Sequence, residues 1–178
     1  EKFGYGIGDF ASSLPWNAVG AFALLFYTDV ARLSPAAIAT MMLATRIADA
    51  CIDLFLGFGV DRTRTRWGRA RPYLLFGAVP LGLLSVLVFH TPEAAPEWRL
   101  AHASITYFLL GLLVAATNIP YSAMMPMMTR DPDERLALSA ARSIGTSVGV
   151  IVVTAGFMPL VEALGGGDLR RGFLLAAA

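Results

Sequence analysis

The stretch Pro35–Val60, PAAIATMMLATRIADACIDLFLGFGV, runs straight into DRTRTRWGRARP at residues 61–72. The first part is mostly apolar and exceeds the roughly 20 residues that cross about 30 Å of hydrocarbon as a helix. The second part holds five arginines and a proline. An apolar run ending in a short, arginine-rich loop reads as a membrane helix whose loop faces the cytoplasm. The same alternation continues on both sides. Further spans are expected at about 5–27, 73–89, 100–127 and 137–160, and a sixth starts near Gly172. That sixth run reaches Ala178 after barely two turns. A helix cut in mid-membrane leaves carbonyls unpaired in lipid, so the expectation is an all-α membrane fold that belongs to a longer protein.

Composition agrees with this reading. Of 178 residues, 56% are hydrophobic and 15% charged, with a mean hydropathy of +0.62. An average soluble domain carries roughly 25% charged residues. The formal net charge of +1 offers no footprint for nucleic acid. A single cysteine, Cys51, excludes a disulfide framework within the chain. Residues Glu1 to Asp9 lack the basic, apolar and cleavage regions of a signal peptide. The connectors at Asp29–Pro35, Thr91–Arg99 and Gly165–Asp168 are short and fall on one side if the spans alternate. The five-arginine loop and the connector holding Arg130 and Arg135 fall on the other, with Lys2. Arg170 and Arg171 count against this assignment, but the larger basic cluster places the N-terminus and the II–III loop in the cytoplasm.

Polar residues inside spans carry the functional signal. Span II holds Arg46, Asp49 and Asp53 at i, i+3 and i+7, one helix face. A charge near a span centre costs about 2.5–3.5 kcal/mol on insertion scales. Two aspartates one turn apart also repel each other, so they require an arginine, a cation or a shared proton. Arg46 is in reach of Asp49 along the helix, and a buried salt-bridge network that only pins helices is the structural alternative. Asp49 and Asp53 are the candidate cation site, with carboxylate oxygens suited to sodium as the metal or to a proton. Span I carries a stripe of Asp9, Ser12, Ser13, Trp16 and Asn17. Span IV gathers Thr117, Asn118, Tyr121 and Ser122 around Pro120, and span V carries Ser139, Arg142, Ser143, Thr146 and Ser147. Span III has only Ser85 in its middle and could face lipid all round. Single hydroxyls in such helices often bond back to their own carbonyls, and Trp16 and Tyr121 have packing readings beside their ligand readings. His90 and His102 read as interfacial residues with no metal-ligand spacing.

No enzyme motif stands up. The chain has no phosphate-binding G-x-x-x-x-G-K-[ST] and no H-E-x-x-H. The close glycines of Gly4-Tyr5-Gly6-Ile7-Gly8 open a membrane span, which is the wrong context for a dinucleotide turn. The expectation is no enzyme and no cofactor beyond a coupling ion, Na+ or H+.

The segment Gly59-Val60-Asp61-Arg62-Thr63-Arg64, followed by Arg66-Trp67-Gly68-Arg69-Ala70-Arg71-Pro72, resembles the II–III loop of the major facilitator superfamily. With Tyr5-Gly6-Ile7-Gly8-Asp9, Phe26-Tyr27-Thr28-Asp29-Val30, Arg46-Ile47-Ala48-Asp49-Ala50, Asn118-Ile119-Pro120-Tyr121 and Gly165-Gly166-Gly167-Asp168, it is similar to the glycoside–pentoside–hexuronide:cation symporters. The resemblance implies twelve helices in two six-helix halves, of which this chain would be the N-terminal half, with the other half as partner in the bilayer. It implies symport of a sugar or glycoside-like solute by alternating access. The family's paired helix II aspartates fall on Asp49 and Asp53, and a sugar-proximal helix V arginine falls on Arg142. Ser13, Trp16, Asn17, Asn118, Tyr121, Ser122 and Arg142 are then the candidate substrate residues. Asp61, Arg62, Arg66, Gly68 and Arg69 would latch the cytoplasmic side, although positive-inside topology alone also explains that loop. The chain departs from melibiose-type members. A lysine–aspartate pair and a helix IV aspartate there look like Ser12, Ser13 and Asn118 here, an aromatic sugar platform becomes Ser122, and a polar residue before the second aspartate becomes Ile52. The solute therefore stays open, and proton coupling stands beside sodium coupling. A lysolipid or other non-sugar transporter of the superfamily, or a non-transporting membrane receptor or scaffold, are the alternatives.

Overall fold

The computed structural model describes residues 2–62, 71–128 and 131–178, with side chains in these ranges apart from 2–12, 60–61, 71–75, 123–128 and 132. The described residues form helices and no strand. They are α1 (Lys2–Leu25), which continues as a π-helical turn at Phe26–Val30, then α2 (Pro35–Arg62) and α3 (Arg71–Val88). After these come α4 (Pro96–Met128), α5 (Pro132–Gly165) and α6 (Leu169–Ala177).

Several helices outrun the apolar stretches that announce them. α4 begins at Pro96 rather than near Leu100, with proline in the first position, where its missing N–H costs nothing. α5 begins five residues before the expected Ala137. Asp131 caps it by accepting a hydrogen bond from the Asp133 N–H at 3.0 Å. Asp168 likewise caps α6, accepting from the N–H groups of Arg170 and Arg171 at 2.9 and 3.4 Å. Capping side chains sit in the polar flanks of a span, so hydrocarbon thickness does not limit these helices. The end of α1 differs more. Asp29 and Val30, expected in a connector, lie in the π turn, closed by Ala31 N–H donating to Phe26 O at 2.9 Å. Arg32 follows in the left-handed region at φ 54°.

α1 packs most extensively on α5, while α4 packs on both α2 and α3, and α5 on α6. The core is tied together by phenylalanines from four elements. Phe26 stands edge-on to Phe89 at 5.4 Å, and Phe173 of α6 lies 5.2 Å from Phe26 and 5.4 Å from Phe89. Phe157 of α5 joins them 5.9 Å from Phe173, and itself stacks on Phe22 at 5.0 Å. Phe26 and Phe173 are fully buried.

The expectation that helix III could face lipid on all sides is corrected here. Gly77, Leu81, Ser85 and Val88 are buried, while Phe76, Val79, Leu83 and Leu87 are exposed. The spacing of the two sets gives α3 one packed face, directed mainly at α4. Ser85 is no break in that face, because its hydroxyl donates to Leu81 O at 2.7 Å.

Candidate functional site

α4 positions the polar residues. Tyr107, Gly111, Asn118 and Ser122 follow one another at multiples of about one helical turn, so they share a face. Three of them meet a different neighbouring helix, and the face extends over about 22 Å of helix axis.

At one end the ring of Tyr107 lies 6.2 Å from that of Trp16 on α1. The other partner of Trp16 is Arg46 of α2, whose guanidinium sits 4.8 Å from the indole centroid. The sequence places Arg46 within reach of Asp49, but among the described residues it makes no ion pair with that carboxylate. A weakly hydrated planar cation gains from an aromatic face, and Trp16 provides one. Asn17, next along α1, has a buried Nδ2 with no hydrogen-bond partner among the described residues. Ser13, one turn earlier, is half-buried.

One turn along α4, Gly111 faces Asp49. A Cβ built on this glycine would stand 2.9 Å from Asp49 Oδ2 and 3.1 Å from Oδ1. The carboxylate is therefore lodged against the α4 backbone at the one residue type that admits it. Its Oδ1 is buried and has no hydrogen-bond partner among the described residues. An unpaired buried carboxylate oxygen is costly, and a cation or a proton relieves the cost. Asp53 lies one turn further along the same helix and is exposed, with the half-buried Ile52 before it.

At the other end Arg142 of α5 reaches across to α4. It donates to the Ser122 hydroxyl at 2.8 Å and lies 5.5 Å from the Tyr121 ring centroid. Tyr121 is buried and Asn118, one turn away, is half-buried. Arg46, Asp49 and Arg142 are therefore held by aromatic faces, a glycine notch and a hydroxyl.

The structure thus brings Trp16 to Arg46, Asp49 to α4, and Ser122 and Tyr121 to Arg142. It does not draw Thr117 into this face. The Thr117 hydroxyl donates back to Leu113 O and Val114 O at 3.0 Å, and its methyl faces Gly77 of α3. Thr45, Thr106 and Thr146 bond back in the same way. Of the loop residues, Arg62 ends α2 with its guanidinium 4.3 Å from the Phe58 ring centroid. Arg66, Gly68 and Arg69, with the side chains of Asp61, Asp9 and Ser12, lie outside the described residues. Sequence reasoning missed Tyr107 and Gly111. A tyrosine and a glycine in an apolar span look like packing, and only their spacing from Asn118 and Ser122 marks them.

Residues 4–178 match the family described as MFS/sugar transport protein. Among curated relatives, an inner membrane symporter of Escherichia coli (strain K12) is 40% identical over 173 residues, which are 97% of this chain and 38% of the relative. An isoprimeverose transporter of Lactiplantibacillus pentosus is 38% identical over 94% of this chain and 35% of its own length. A glucuronide carrier protein homolog of Escherichia coli (strain K12) is 42% identical over 82% of this chain and 32% of its own length. The chain thus spans about a third of the length of these relatives, between 32% and 38%. Helical architecture and sequence agree, and the chain belongs to the MFS/sugar transport protein family, a family of membrane transporters rather than enzymes.

Proposed function

We propose that this chain is the N-terminal half of a cation-coupled symporter for a sugar or glycoside-like solute, working in the plasma (inner) membrane. The observation that carries the proposal is the Asp49 carboxylate, lodged against Gly111 with a buried oxygen that no donor among the described residues meets. Sodium or a proton, shared with Asp53 one turn away, completes that site. Sodium would draw on the oxygens of two carboxylates, since Ile52 brings none. A proton would need only one of them. Neutralising the pair removes the charge that opposes closure around a solute. Trp16, Asn17, Asn118, Ser122 and Arg142 then supply aromatic, amide, hydroxyl and guanidinium contacts of the kinds that bind a polyhydroxylated ring. The opposing half provides the other wall of the site. Binding of ion and solute is reciprocal, each raising the other's affinity by the same factor. The names of the relatives, a symporter, an isoprimeverose transporter and a glucuronide carrier homolog, support a sugar-like solute.

The test is uptake by the full-length protein in energised vesicles, with a sodium gradient and a pH gradient imposed separately. One of the two gradients is expected to drive accumulation. Asp49→Asn and Asp53→Asn are each expected to abolish accumulation while leaving the protein in the membrane. Concentration of solute against its gradient by either variant would overturn the coupling role.

A further inference from the structure

The connector ends of α3 and α4 bring together two histidines that lie apart in sequence. His90 follows the last turn of α3, with its backbone N–H donating to Leu87 O at 3.1 Å, and its side chain is exposed. His102 stands in the second turn of α4 and is half-buried. Their ring centroids are 5.9 Å apart with planes inclined at 72°. The twelve-residue separation offers no ligand spacing in sequence, and the α3–α4 hairpin supplies the proximity instead.

We propose that His90 and His102 form a two-histidine site for a borderline divalent transition metal such as zinc, with water filling the remaining positions. Zinc binds imidazole nitrogen at about 2.0–2.1 Å, so two rings sharing a tetrahedral ion have centres roughly 5 Å apart. The observed separation exceeds this by less than about 1 Å, a gap that a rotamer adjustment of the exposed His90 closes. His90 also lines a cavity of about 380 Å³ whose wall includes Thr91, Glu93 and Arg170. That cavity gives water access to His90. Among the described residues no group of three His, Cys, Asp or Glu is placed to hold an ion. The site is therefore open and exchangeable, unlike the closed four-ligand sites of structural zinc. Imidazole selects zinc, nickel or copper, whereas the Asp49 and Asp53 oxygens suit a hard cation, so the two sites differ in metal as well as in place. An ion here would staple the end of α3 to the start of α4.

Zinc chloride titrated calorimetrically into the purified, chelator-stripped full-length protein tests the proposal. Saturable binding with a dissociation constant tighter than about 1 mM is expected. His90→Ala and His102→Asn are each expected to weaken it at least about tenfold, and excess magnesium is expected not to compete. His90 is exposed, so its variant should fold and retain zinc-free solute uptake. Absence of saturable binding overturns the proposal, as does unchanged zinc affinity in either variant.

Discussion

Gly111 shows what a single residue contributes to the candidate ion site. It supplies no atom that binds anything, yet its missing Cβ makes the space in which the Asp49 carboxylate sits. Gly111→Ala would set a methyl 2.9 and 3.1 Å from the two carboxylate oxygens, so the carboxylate must move by a few tenths of an ångström. A site that depends on oxygen placement should then lose about tenfold in ion affinity, or about 1.4 kcal/mol. The ion concentration giving half-maximal uptake by the full-length protein measures this. Gly20→Ala is the control, because nothing stands within 4 Å of its would-be Cβ. Equal ion dependence in wild type and Gly111→Ala would show that the carboxylate does not need the notch. The same residue marks the limit of reading a sequence. Asp49 and Asp53 stand out because charge inside a span is expensive. A glycine's role lies in the neighbour it admits, and that neighbour is 62 residues away. Arg46 was legible as a charge near Asp49, but its preference for the Trp16 face rests on how α1 and α2 meet.

At the scale of elements, apolar runs marked where helices lie, because hydrocarbon thickness sets a minimum length. Their ends were less legible, since caps such as Asp131 and Asp168 belong to polar flanks. The π turn after α1 had no legible mark in the sequence at all. It leaves Arg32 in the left-handed region, which costs a residue with a Cβ about 1–2 kcal/mol. Arg99 partly offsets this cost by donating to Ala94 O at 2.8 Å and to Ala31 O at 3.4 Å, placing a cation at the carbonyl end of the turn. Arg32→Gly is therefore expected to stabilise the fold by about 1 kcal/mol, seen as a higher apparent melting temperature of the detergent-purified protein. A lower one would mean that the arginine side chain matters more than its backbone. α6 makes the opposite case. It is short, and Phe173 anchors it among Phe26, Phe89 and Phe157. A Cβ on Gly172 would collide with Val161 O of α5, so the two helices touch backbone to backbone there. Phe173→Ala should destabilise the fold by about 3–5 kcal/mol, with a large fall in melting temperature. Little change would show that α6 contributes no stability through this cluster.

For the whole molecule, the exposed apolar surface and the placement of charge make one argument. α2 exposes Leu43, Ile47, Leu54, Phe55 and Phe58, and α5 exposes Ile144, Val148, Ile151 and Val152. Such faces are satisfied by lipid or by another helical half, not by water. The proposed orientation rests on the loops. If the spans alternate, the sequence puts Lys2, the five arginines of residues 61–72, Arg130 and Arg135 on one side, and Arg32, Arg99, Arg170 and Arg171 on the other. Counted from sequence, the second group weakens the assignment. In the structure two of its members are engaged within the fold: Arg99 holds carbonyls, and Arg170 pairs with Glu93 at 3.4 Å across two connectors. The positive-inside bias acts on basic residues near span ends. With these two assigned structural work, we propose that the five-arginine loop dominates the bias and faces the cytoplasm. A cysteine-scanning pair checks this in the full-length protein, once Cys51, which is exposed on α2, and any cysteines elsewhere in that protein are replaced. A membrane-impermeant maleimide added to right-side-out vesicles is expected to label Ala95→Cys in the α3–α4 connector and to spare Thr65→Cys until the membrane is permeabilised. The reverse pattern would invert the bundle and place the arginine-rich loop outside. The proposed ion and solute path along the α4 face would then have to be read from the opposite end.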